Sequence, residues 1–102
     1  MTIFTKSTIG TSGDTVTLTV EGHNAAFTQV TGTWNGSLAF EGTVNGDDWF
    51  AVVGTPVPSG STTSSSLVNG QWTFTVSGLL SLRVRNTVLN SGIVLVAIRA
   101  VV

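Results

Sequence analysis

At 102 residues, with 9% charged side chains, a net charge of −1 and no cysteine, the chain has room for one domain and few means of doing covalent chemistry. Disulfides, thiolate nucleophiles and cysteine-based zinc sites are excluded. Four basic residues against five acidic ones provide no basic face for a nucleic acid. A charged fraction so far below the ~25% of ordinary domains leaves a surface solvated by hydroxyls and backbone, or one covered by other chains.

The sequence opens without the basic start and apolar core of a signal peptide. Its most apolar run, residues 93–102, is far shorter than the ~20 residues of a membrane helix. The expectation is a soluble protein with no membrane partner.

Residues 1–9 alternate weakly and read as an N-terminal arm or edge strand, closed by the turn cluster Gly10–Asp14. Thr15–Val20 (TVTLTV) puts Val16, Leu18 and Val20 on one face and three threonines on the other, the pattern of a half-buried strand. After the turn Glu21–Asn24, residues 26–31 predict a third strand.

The stretch GTWNGSLAFEGTVNGDDWF follows, with an arm over 37–44, the dipeptide Asn45-Gly46 and a second arm over 48–53. Alternation on both sides of Asn-Gly predicts a tight hairpin, with Phe40, Val44 and Trp49 as core anchors. Residues 54–70 hold both prolines and a Ser/Thr run, and read as one long loop. Gln71–Ser77 alternates again, with Trp72, Phe74 and Val76 inward. Residues 79–86 carry Leu80, Leu82 and Val84 on one face and Ser81, Arg83 and Arg85 on the other. Residues 92–102 form a last strand, apolar on both faces apart from Arg99.

No helical period lasts anywhere. About eight strands at short, regular spacing predict an all-β fold, an antiparallel β-sandwich with jelly-roll-like connectivity, in a single domain over residues 1–102.

Candidate chemistry is sparse. His23, the single histidine, lies in a turn and has no orienting partner nearby in sequence, so it reads as a solvated surface residue. No nucleophile elbow or phosphate-cradling glycine loop is present. Asp47-Asp48 follows a turn, but no loop presents carboxylates at the alternating positions a calcium ion needs. The chain is therefore expected to be no enzyme, with no cofactor and no metal.

Arg83 and Arg85 fall on one face of a strand, and Arg99 joins them if the strand that carries it pairs alongside. Such a patch would meet carboxylates on a partner, or else lie solvated with Glu41 as a surface pair. Among the tryptophans, Trp49 and Trp72 are in phase with core positions and Trp34, beside Asn35-Gly36, is the candidate for exposure.

Three runs together, GTWNGSLAFEGTVNGDDW, NGQWTFTVSGLLSLRVR and SGIVLVAIRA, resemble small β-sandwich domains of tailed-bacteriophage virion proteins. The shared pattern is a hairpin with F-E-G-x-V-[N/D]-G-x-x-W, a later strand with arginines at alternate positions, and a closing apolar strand. It spans residues 31–100.

The resemblance implies a virion structural protein, most simply a capsid decoration (cement) protein assembled in the host cytoplasm. Such a protein would bind the major capsid protein and itself, as a homotrimer. The contacts it suggests are the segment 2–9, the 54–70 loop and the arginine face, with Ile3, Phe4, Lys6, Arg83, Arg85 and Arg99 as interface candidates. The chain begins at a methionine and ends with its last strand, as a stand-alone domain of this kind would. It is also similar to discoidin-like carbohydrate-binding jelly rolls, which implies a tail or fibre module for a carbohydrate or host receptor. The aromatic-free 54–70 loop departs from that second pattern.

Overall fold

The computed structural model describes residues 2–102, and they form one antiparallel sheet of eight strands that folds back on itself as a sandwich. The strands are β1 (Ile3–Ile9), β2 (Thr15–Thr19), β3 (Ala25–Thr43), β4 (Trp49–Ala51), β5 (Thr55–Pro56), β6 (Ser65–Ser66), β7 (Gly70–Thr75) and β8 (Ser81–Val101).

Two of them organise the rest. β3 and β8, 19 and 21 residues long, pair antiparallel over their whole lengths as a single ribbon. The first half of β3 and the second half of β8 belong to a five-stranded layer in the order β1-β8-β3-β7-β5. The other halves form the second layer, with β2 on β8 and with β4 and β6 on β3.

The ribbon crosses from one layer to the other at register shifts between Asn35 and Gly36 and between Ser37 and Leu38. Glycine is required here for steric reasons. A Cβ on Gly36 would run into the Val88 carbonyl, and one on Gly92, which sits at φ 88°, would run into that of Thr33. Two strands can bend together only if their backbones come this close.

These glycines are why the expected separate strands at 26–31 and 37–44, and at 79–86 and 92–102, are in fact two long continuous ones. Gly32, Gly36 and Gly92 read as breaks in the sequence, but they are the points where unbroken strands bend.

The core lies between the layers. Phe40 of the second layer meets Trp72 and Phe74 of the first, with ring centroids 5.0 and 5.2 Å apart in tilted and edge-on arrangements. Each such pair adds about 0.5–1.5 kcal/mol beyond the area it buries. Ile9, Val20, Leu38, Val76, Leu82, Val94, Val96 and Ile98 are among the residues that pack around them. Asn86 is fully buried among them, and neither end of its amide meets a hydrogen-bond partner among the described residues.

Two further expectations are corrected. Asn45-Gly46 does not form a two-residue turn, because β3 ends at Thr43 and β4 begins at Trp49. The buried Thr43 hydroxyl accepts from the Gly46 amide (3.0 Å) and donates to the Asp48 carbonyl (2.7 Å). The Asn45 side-chain oxygen accepts from the amides of Asp47 and Asp48 at 2.8 and 2.9 Å. These side chains replace the backbone bonds of a tight turn with a five-residue loop. Val44 in that loop is exposed, and Trp49 is only half-buried, so Phe40 alone of the three expected anchors is in the core.

The 54–70 segment, likewise, is not one free loop. It contains β5 and β6 and is cross-braced by reciprocal backbone bonds between Gly54 and Thr63, at 2.7 and 3.0 Å.

Candidate functional site

β1 is an edge strand held along all seven residues by β8, so the segment 3–9 is part of the sheet and not a loose arm. Its alternation divides the candidates. Ile3 packs against the core, whereas Phe4 and Lys6 face outward. The register sets Phe4, Arg99 and Phe27 side by side across β1, β8 and β3, with Lys6, Ala97, Gln29 and Gln71 as the next row. Both rows lie on the outer surface, because Ala26, Thr28, Val30, Val96, Ile98 and Ala100 between them point inward.

The outer face of the five-stranded layer is therefore unusually apolar. Phe4 is 60% exposed and Phe27 45%, with Ile93, Leu95 and Val57 also exposed. A shallow cleft of about 260 Å³ runs between Phe4, Phe27, Gln29, Val57, Ala97 and Arg99. A second hollow of about 200 Å³, lined by Lys6, Thr31 and Leu95, shares Phe4, Gln29 and Ala97 with it. Among the described residues, Lys6 and Arg99 make no ion pair. The cleft is greasy and flanked by two uncompensated cations, with no carboxylate in its lining. Such an arrangement offers contact area and charge complementarity to an acidic, apolar surface.

The other two arginines are on the outer face of the second layer. Glu41 pairs in register with Arg83 and lies beside Arg85. Arg83 Nε donates to Glu41 Oε1 at 2.8 Å, and Arg85 donates through Nε and Nη2 to Oε1 and Oε2 at 2.9 and 3.0 Å. The Arg83 guanidinium lies 3.9 Å from the centre of the Trp49 ring. The Arg85 hydrogen bonds hold the Glu41 carboxyl below its ordinary range, against the upward push of burial, with Arg83 adding to them; Glu41 in turn raises Arg85.

The expected trio of arginines is thus not one cluster. Residues 81–101 are a single strand that crosses both layers, so Arg99 does not come alongside Arg83 and Arg85. Those two have their carboxylate within the chain.

Of the remaining candidates, His23 is half-buried in its turn with Nδ1 3.1 Å from the Glu21 carbonyl. Asp48 Oδ2 accepts from the Asn45 side-chain Nδ2 at 2.9 Å. Among the described residues no three acidic or histidine side chains gather as a metal site would require. Trp34 is half-buried at the bend of the ribbon, its indole donating to Asn69.

Of the expected interface residues, Phe4, Lys6 and Arg99 lie on this face, alongside Phe27, Leu95 and Val57, which were not among them. A signal for Phe27 was present: with Ala26, Thr28 and Val30 inward, strict alternation turns Phe27 outward.

No family model matches the sequence, and no curated protein matches it either. Solved structures do share the fold. The SPBc2 prophage-derived protein YomS is 18% identical, superposes with a TM-score of 0.77, and matches over 98% of this chain and 96% of its own length. The PBSX exported protein XepA, also 18% identical, superposes at 0.81 over 97% of this chain, which spans only 38% of XepA. A de novo designed double-stranded β-helix superposes at 0.53 with 20% identity. YomS and XepA are both phage-derived, and at this identity the likeness establishes the fold.

Proposed function

We propose that this is a phage-associated structural protein that works by docking, through the outer face of its five-stranded layer, onto another protein of the particle. The observation that carries the reading is the Phe4–Arg99–Phe27 row: two exposed aromatics around a cation that makes no ion pair among the described residues, beside a shallow cleft. Aromatic and arginine side chains supply most of the energy of protein interfaces, and single domains seldom leave them together in water. The fold shared with YomS and XepA supports the phage association.

In its finer form, the reading is that of a capsid cement protein. The partner is the major capsid protein, with carboxylates opposite Lys6 and Arg99, and a homotrimer bridges neighbouring shell subunits. Binding only the assembled shell stabilises that shell by mass action, without chemical catalysis.

The test is co-sedimentation of the purified protein with intact and protein-depleted particles, combined with sedimentation analysis of the free protein. Saturable binding to shells, lost on Phe4→Ser, is expected. A protein that stays monomeric at high concentration and binds neither heads nor tails would rule the reading out. Binding to tails alone would keep the docking face and remove the cement role.

A further inference from the structure

We propose a second site, independent of the docking face, at the bend of the β3–β8 ribbon: a shallow pocket that binds the pyranose ring of a neutral polysaccharide. The pocket has a volume of about 410 Å³ and is lined by Trp34, Asn35, Gly36, Ser37, Leu67, Val88 and Asn90. It is the size of a small-ligand site, and none of the seven lining residues carries a charge. Phosphorylated or carboxylated ligands therefore find no counter-ion there, whereas a neutral sugar needs none.

Three features match sugar chemistry. The first is a fixed aromatic wall. Trp34 Nε1 donates to Asn69 Oδ1 at 2.6 Å, and Asn69 Nδ2 donates to the Gly32 carbonyl at 2.9 Å, so the indole is tethered before any ligand arrives. Its polar edge is occupied by this tether and part of its ring packs on the core, so what lines the pocket is a rigid apolar wall for the C–H face of a pyranose.

The second is a paired amide. Asn90 Nδ2 donates to Asn35 Oδ1 at 2.9 Å across the two strands. Among the described residues, Asn35 Nδ2 and Asn90 Oδ1 have no other protein partner. A donor and an acceptor held side by side are what two adjacent hydroxyls require, because each hydroxyl both gives and accepts a proton. The amide pair spends little rotamer entropy on binding, since each side chain already fixes the other.

The third is shape. Gly36, held against the Val88 carbonyl of the paired strand, lines the pocket with backbone and no side chain. Leu67 and Val88, 71% and 47% exposed, flank it as apolar shoulders. Such shoulders suit the methyl of an acetamido group or the edge of a neighbouring sugar in a chain. The bend that folds the sheet in two also forms a side of this pocket, since Asn35, Gly36 and Ser37 line it at the register shifts between Asn35 and Gly36 and between Ser37 and Leu38.

The experiment is an NMR titration of the ¹⁵N-labelled protein with chito-, malto-, cello- and galacto-tetraose as separate probes. At least one is expected to shift the Trp34 indole and the Asn35 and Asn90 side-chain amides saturably. Asn35→Ala and Asn90→Ala, both at exposed positions, should each weaken that binding at least tenfold, about 1.4 kcal/mol, with the rest of the spectrum unchanged. Phe4→Ser should bind sugar as the native protein does, so a failed docking face and a failed sugar site give different results. If none of the four sugars moves these three groups, the proposal is overturned. It is equally overturned if both asparagine variants bind as tightly as the native protein.

Discussion

The two outer faces of the folded sheet are built from the same two strands and finished in opposite ways. On the second layer, Glu41 takes up both arginines of its face and Arg83 covers half-buried Trp49, so charge and aromatic surface are satisfied within the chain. On the first layer, Arg99 stands between Phe4 and Phe27 with no carboxylate beside it. Each face has arginine and aromatic residues in neighbouring register positions. One acidic residue separates them: position 41 carries a glutamate, while the corresponding central row of the other face carries Phe27. A face whose charges are already paired gains little from a partner, and one whose charges and aromatics are open gains both contact area and complementarity.

The comparison depends first on the bend that gives one ribbon two faces. Gly92→Ala should have the largest effect, destabilising the fold by about 3 kcal/mol, since its Cβ meets the Thr33 carbonyl and its φ of 88° disfavours any side chain. Denaturant unfolding measures it. A change below 1 kcal/mol would mean that the bend is softer than the close backbone approach implies.

Next is the open face. Replacing Phe4 and Phe27 together with serine should weaken docking to particles at least a hundredfold, roughly 2.7 kcal/mol. Stability should fall by no more than about 1.5 kcal/mol, as Phe4 is 60% and Phe27 45% exposed and only the covered part of each ring is lost. Co-sedimentation and thermal unfolding on the same variant separate the two quantities. Equal losses in both would make the face structural.

The closed face should respond the other way. Glu41→Gln leaves Arg83 and Arg85 as unneutralised neighbours and should cost about 2 kcal/mol of stability, with docking unaffected. It also has a pH signature. The folded Glu41 carboxyl is held below its reference value of 4.5, so its contribution is complete above that value and is lost as pH falls through the lower folded one. The native protein should therefore lose stability on acidification through this range, and the variant should show a flatter acid limb. Identical acid limbs would show that the cluster contributes nothing.

Much of this fold can be read directly from the sequence, and its limits have a physical reason. TVTLTV and QWTFTV declare their inward faces by alternation, and Phe40, Trp72 and Phe74 are found together in the core as their phase implies. Glycine was the ambiguous letter. At Gly46 it marks a loop, while at Gly36 and Gly92 it allows a close approach between paired strands, and only the partner strand tells these apart. The candidate sites suffer from the same lack of partners. Glu41 meets Arg83 and Arg85 from 42 and 44 residues away, and Phe4 meets Arg99 from the far end of the chain. Alternation shows which residues face outward, but pairing register decides which of them become neighbours, and that depends on the whole ribbon.

The smallest predicted effect concerns the charges of Lys6 and Arg99 on the open face. Lys6→Gln and Arg99→Gln remove charge from the cleft while leaving Phe4 and Phe27 in place. Exposed charges act mainly on the rate of encounter and on its salt dependence, because they are solvated and screened. The double variant should therefore bind particles about tenfold more weakly at low salt, with a slower association rate, and approach native behaviour as salt is raised. Association kinetics at two ionic strengths measure this. If the loss persisted at high salt, Arg99 would be a buried contact of the interface, packed between the two aromatic rings. In that case charge pairing and apolar burial on this face would be one interaction and not two.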